Sequence, residues 1–127
     1  MENSCRSQIA EGFAKRHSED VLEAFSAGGN PSGRVNDTAI AVMKEKGIDI
    51  SHQRSKSLFD IPQIQWDYVV TMGCGDGCPN VTAKNRLDWQ IPDPKGLVLD
   101  EFRNIRDRIE AKVLSLIRGI ESKIRIK

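Results

Sequence analysis

The chain has 127 residues, enough for one domain (1–127) whose core withdraws roughly two-thirds of the unfolded surface from water. Its net charge of +1, with 39% hydrophobic and 29% charged residues, argues against a nucleic-acid or membrane-surface partner held by bulk electrostatics. No run approaches the roughly eighteen apolar residues of a membrane span, and MENSCRSQ has neither the basic start nor the apolar centre of a secretory signal. We therefore expect a cytoplasmic protein, and a monomer.

Helical periodicity begins early, with Ile9 and Phe13, supported by Ala10 and Ala14, on one face of a helix over about 7–16. VLEAFSA predicts a strand over 21–27, and GGNPSG after it is loop punctuation. A second helix is predicted from Asn36 on the spacing of Ala39, Ile40, Val42 and Met43, with Gly47 as its stop. Residues 48–58 read as a short extended piece. DYVVTM (67–72) is a β-branched run without polar alternation, as expected for a strand covered on both faces. RLDWQ (86–90) reads as another short strand, between the loops GCGDGCPN and IPDPKG. From about Leu97 a long helix carries Phe102, Ile105, Ile109, Val113, Leu116, Ile117, Ile120 and Ile124 at spacings of three and four, a stripe expected to pack on a sheet.

Alternating helices and strands imply an α/β fold, with parallel strands between layers of helices and a ligand site beyond the strands' carboxyl ends. A βαβ unit needs a strand ahead of the first helix, and we expect one upstream of ENSCRS.

The segment NSCRSQ opens the first helix, where unpaired N–H groups and a partial positive charge favour an anion. Arg6 adds a permanently charged fork that fits two oxygens of a tetrahedral oxyanion. Cys74 and Cys78 follow DYVVTM, at the end of that predicted strand. Their glycine-rich loop can close a disulfide if it folds back, since the Cα atoms must come within about 7 Å. Zinc is a weaker reading, because only Cys5, His17 and His52 remain as further Cys or His ligands and none is suitably spaced. Inert structural thiols are the third.

ENSCRS resembles the second half of C-x-x-N-x-C-R-S, the loop of low-molecular-weight tyrosine phosphatases and of the arsenate reductases built on the same fold. The resemblance implies a three-layer α/β fold with a four-stranded parallel sheet, whose leading strand would precede this chain. It implies an oxyanion loop of Glu2, Asn3, Ser4, Cys5, Arg6 and Ser7, with Ser7 lowering the pKa of a nearby thiol. The nucleophilic cysteine falls one position before Met1, as if the start had been assigned too late, so the chain as numbered is expected to be inactive and marginally stable. Cys5 is not the attacking residue of the motif.

VVTMGCGDGCP is similar to the segment that supplies the redox cysteines of thiol-coupled arsenate reductases, which implies Cys74 as second and Cys78 as third thiol of a relay. Their spacing is tighter than in long-loop members, which leaves the order of attack open. Asp93-Pro94 resembles the family's general-acid loop, although DP is also a common turn dipeptide. Lys95 and Gly96 follow it, where phosphatases of the fold commonly carry aromatic residues, and this favours a small inorganic oxyanion. The implied activity is reduction of arsenate to arsenite, with phosphate or sulfate as analogues. No resident cofactor or metal is expected, and the reductant is thioredoxin or a low-molecular-weight thiol. The alternatives are phosphate monoester hydrolysis and an inactive anion-binding fragment. Glu11 and Ser26 match positions at the base of the loop in related reductases, some of which hold potassium there; Lys56 stands where an acidic residue would complete that site. His17 and His52 show no evident partner and read as surface residues. Trp66 and Trp89 read as packing aromatics.

Overall fold

The computed structural model describes residues 5–18, 22–27, 34–54, 62, 64–72, 82–94 and 96–125. They form α1 (Arg6–Ser18), α2 (Asp37–Lys44), β1 (Trp66–Thr71), β2 (Ala83–Asp88) and α3 (Leu99–Arg125). The helix–strand alternation and the parallel pairing follow the expectation: β1 and β2 run parallel, with Trp66 opposite Ala83 and Thr71 opposite Asp88. Two strands of the expected four lie among the described residues.

On α1, Ile9 and Phe13 are fully buried as their spacing predicted, but Gln8, Glu11 and Gly12 are buried beside them. Gly12 is required by a close approach. A Cβ there would lie 2.7 Å from Ile50 Cγ2 and 3.1 Å from Met43 Cε. Helix α2 begins as read, with Asn36 Oδ1 accepting from the N–H groups of Thr38 and Ala39 at 2.9 and 3.1 Å. Its end is a Schellman turn: Ile48 N–H donates to Met43 C=O, Gly47 N–H donates to Lys44 C=O, and Gly47 sits at φ +74.

Several expectations need correction. Leu22 to Ala27 have no ladder partner among the described residues, so the predicted strand there is not formed as one. Hydropathy marks a segment that can be covered, but a strand also needs a hydrogen-bonded neighbour. Phe25 instead meets Trp66 edge-on, ring centroids 5.3 Å apart. Within 48–58, residues 51 and 52 form a turn in which Asp49 Oδ1 accepts from Ser51 N–H at 2.8 Å, and 55–58 fall outside the described residues. The strand read as 86–90 is β2, shifted toward the N-terminus; Trp89 gives the segment its apolar signal but lies past the strand's end. β1 is half-buried along Tyr68, Val69 and Val70 rather than enclosed.

Among the described residues, helix α3 packs on α1 and α2 rather than on β1 or β2. Its buried stripe, Phe102, Ile105, Ile109, Val113 and Ile117, shares one core with Ile9, Phe13, Val42 and Met43. The nearest large apolar surface is that of the other helices, whereas β2 is exposed along most of its length. Arg106 interrupts this stripe. It is 7% exposed and donates to Val42 C=O at 2.9 Å, to Glu45 Oε1 at 2.7 Å and to Asp107 Oδ1 at 2.9 Å. Glu45 also receives two N–H groups of Arg103 at 2.8–3.1 Å. Hydrogen bonds from Arg103 and then Arg106 hold the Glu45 carboxyl down, from 4.5 to about 2.

Candidate active site

Cys5 and Arg6 stand where the chain enters α1. Cys5 is buried; its carbonyl accepts from Ile9 N–H at 2.9 Å, the first turn of the helix. It packs in the core with Ile9 and Phe13, as a small hydrophobe does. Arg6 is half-buried. Its Nη1 donates to Met72 C=O, one residue past β1, and at 2.6 Å to Ile91 C=O in the loop after β2. The start of α1 and the carboxyl ends of both strands therefore meet at one guanidinium, where an α/β sheet is expected to hold a ligand.

An arginine has five N–H donors, and the two on Nη1 point at these carbonyls. With Nη1 so engaged, the Nε–Nη2 edge remains to make bidentate contacts with an oxyanion. Arg6 has no carboxylate partner among the described residues.

Asp93 lies two residues beyond Ile91 and is exposed, while the side chain of Pro94 is fully buried. The proline pins the loop and leaves the carboxylate at the surface. A turn follows, with Leu97 N–H bonded to Pro94 C=O at 2.9 Å and Gly96 at φ +85. Ser7 is half-buried at the same helix end. Glu2, Asn3, Ser4, Cys74, Cys78 and Lys56 lie outside the described residues.

Several polar contacts around this centre were not foreseen. Gln8 is fully buried, donates to Arg54 C=O at 2.7 Å and accepts from Gln53 Nε2 at 2.7 Å. Its only signal in the sequence is a polar residue one helical turn from Gly12, on the inner face. Thr71 Oγ1, at the end of β1, bonds Asp88 Oδ1 at 3.0 Å, and Gln90 bonds the other oxygen of Asp88. Glu11 is buried and takes Ser26 Oγ on one oxygen and Lys15 Nζ at 2.6 Å on the other. The pairing of Glu11 with Ser26 follows the sequence match; the cation beside them is Lys15, visible in hindsight from its i,i+4 spacing. His17 is not an unpartnered surface residue. Its Nε2 lies 3.0 Å from Glu110 Oε2, and its ring stacks on Phe13.

Among the described residues, no three of His, Cys, Asp and Glu gather as metal ligands. Among the same residues, no helix is long and apolar enough to cross a membrane.

A helix start joined by one arginine to two strand ends defines a class, and the chain belongs to the low molecular weight phosphotyrosine protein phosphatase family, which it matches over residues 1–125. Within that family its similarity runs to arsenate reductases. It is 43% identical over 121 residues to the "Glutaredoxin arsenate reductase" of Synechocystis sp., covering 93% of this chain and 92% of that one. It is 44% identical over 118 residues to "Arsenate reductase 1" of Staphylococcus epidermidis, covering 87% and 86%. A solved structure described as an arsenate reductase in the phosphate binding state superposes with a TM-score of 0.85 at 43% identity, covering 94% of this chain and 92% of the other.

Proposed function

We propose that this protein reduces arsenate to arsenite through a cysteine relay at the start of α1. The observation that carries this is the position of Arg6, whose Nη1 bonds the carbonyl at the end of β1 and the carbonyl two residues before Asp93. Similarity to named arsenate reductases over nearly the whole chain supports the choice of arsenate over a phosphate ester.

In this reading the amides of Glu2 to Ser7 and the outer edge of Arg6 bind arsenate, with phosphate or sulfate as analogues. The thiolate of the motif's first cysteine, one position before residue 1, attacks arsenic, and an arsenate oxygen protonated by Asp93 leaves as water. Cys74 then attacks the arsenic-bound sulfur. A disulfide forms, the As–S bond breaks, its electron pair stays on arsenic, and arsenite departs. Cys78 attacks the Cys74 sulfur, releases the first thiolate and leaves a Cys74–Cys78 disulfide. The two electrons gained by arsenic are those lost by the two thiols. Ser7 donates its hydroxyl to the nucleophilic thiolate. A glutathione-type thiol with a glutaredoxin carrier, or thioredoxin, reduces the disulfide in the reducing cytoplasm, and the protein works as a monomer without a resident metal or cofactor.

The test uses a chain extended upstream so that the motif's first cysteine is present. Arsenite release is measured with glutathione and glutaredoxin, or with thioredoxin, beside hydrolysis of p-nitrophenyl phosphate. We expect one arsenite per disulfide formed, and Cys74→Ser to lower multiple turnover about 100-fold or more, as loss of a covalent step does. Arsenate turnover that survives Cys74→Ser would sink the relay. Ester hydrolysis without arsenite release would assign the site to a phosphatase.

A further inference from the structure

We infer that Arg6 is a positioning residue for both loops of the site as well as an anion ligand. This rests on the anion-site reading above but not on the identity of the oxyanion. The ordinary role of an arginine in such a loop uses its charge and its outer fork. Here the inner nitrogen has separate work, because Nη1 donates to Met72 C=O and to Ile91 C=O. These acceptors belong to different connections. Met72 ends the strand that leads to Cys74, and Ile91 begins the loop that carries Asp93.

The two connections also hold one another by a short backbone path. Trp89 N–H donates to Thr71 C=O at 2.7 Å, and Ile91 N–H donates to Trp89 C=O at 2.9 Å. Met72, Trp89 and Ile91 are each buried, at 4%, 8% and 3% exposure, so the two carbonyls that Arg6 satisfies have little water to replace it. Charge-assisted bonds to buried carbonyls are stronger than neutral ones. A guanidinium can make them with one nitrogen and still face an anion with the Nε–Nη2 edge. A lysine carries its donors on one point-like ammonium and has no separate bidentate edge for the anion. An oxyanion on the outer edge therefore fixes the orientation of the inner nitrogen and tightens the Met72–Ile91 junction.

The experiment is amide hydrogen exchange on the 127-residue chain, wild type and Arg6→Lys, with and without inorganic phosphate. Exchange is read at Trp89 and Ile91, and at Ile109 and Val113 in α3 as an internal reference. Arg6→Lys should speed exchange at Trp89 and Ile91 about tenfold, the equilibrium equivalent of one charge-assisted hydrogen bond, and leave α3 unchanged. Phosphate should slow the same two amides in the wild type and not in Arg6→Lys. Unchanged exchange at Trp89 and Ile91 in the variant, with α3 protected, overturns the proposal. If α3 also loses protection, the variant has unfolded globally and the wild-type titration decides: protection by phosphate supports the coupling, and its absence overturns it. Neither arm measures turnover, so a site that proves to be a phosphatase leaves this result standing.

Discussion

Two arginines, one buried and one half-buried, are treated in opposite ways in this molecule. Arg106 lies between α2 and α3 and is neutralised: its Nε donates to Asp107, and its Nη1 donates to Glu45 and to Val42 C=O. Burial alone would lower its pKa, but hydrogen bonds to Asp107 and Glu45 outweigh that and raise it. Arg6 donates to backbone carbonyls and has no carboxylate partner among the described residues. A carbonyl satisfies a donor without cancelling its charge. The Arg106 charge is spent inside the fold, whereas the Arg6 charge remains available to a ligand. One arginine is neutralised within the fold; the other keeps a charge that the proposed oxyanion site would use.

The largest effect should come from removing Arg6. In the upstream-extended chain, Arg6→Ala should reduce kcat/KM for arsenate by about 10³-fold, the scale for losing a preorganised oxyanion donor. Its melting temperature should fall as well, because the carbonyls of the buried Met72 and Ile91 lose a donor. The converse substitution sharpens the contrast. Arg106→Ala leaves Val42 C=O unpaired and removes a packed side-chain stem, and should cost about 2 kcal/mol in urea unfolding. That figure lies below the usual range for a broken buried pair because Glu45 is 40% exposed and water can solvate it. An Arg106→Ala variant that lowered kcat/KM for arsenate as strongly as Arg6→Ala would end the contrast.

The same contrast explains what the sequence makes legible. Helix starts and stops are local, and Asn36, Gly47 and the spacing of Phe102 to Ile117 mark them without knowledge of the rest of the chain. Arg6 was readable for the same reason, because its motif is contiguous. The position of Arg106 follows from three-dimensional packing: it interrupts an apolar stripe, and no residue near it in sequence announces Val42 or Glu45 as its acceptors. Gln8 with Gln53, and His17 with Glu110, join residues 45 and 93 apart and leave no local signature. The predicted strand at 21–27 failed for a related reason, since periodicity reports a face that can be buried and does not report a neighbour. Asp93 shows what a dipeptide can and cannot say. The turn at Pro94 was foreseeable, but the burial of the proline and the exposure of the aspartate come from the packing around them.

Two further substitutions test whether the helical half is as closely fitted as the Arg106 contacts imply. Gly12→Ala places a methyl group against Ile50 and Met43, and should destabilise the chain by about 1–3 kcal/mol through overpacking despite alanine's better helix propensity. Calorimetry showing a gain in stability would mean that Ile50 moves aside easily. Asn36→Ala removes the side-chain acceptor for two amides at the start of α2 and should cost about 1 kcal/mol. Asn36→Asp should recover most of that loss, because a carboxylate accepts the same bonds and favours the helix start.

The smallest effect concerns pH and returns to the neutralised arginine. The Glu45 carboxyl is held at about 2 against an ordinary 4.5, first by its hydrogen bonds to Arg103 and then by those to Arg106. A group whose pKa falls on folding contributes stability in its ionised form. That contribution is complete above about pH 4.5, shrinks as the unfolded chain begins to bind the proton, and is gone once pH falls through about 2. Glu45→Gln cannot titrate. The stability difference between wild type and Glu45→Gln should therefore be constant from pH 5 to 8 and narrow toward pH 2, followed by urea unfolding at each pH. Because Glu45 is exposed, salt should reduce the difference in the upper range. A difference that stays flat from pH 5 down to pH 2 would mean that Arg106 is held by Asp107 and Val42 alone, and that Glu45 takes no part in its neutralisation.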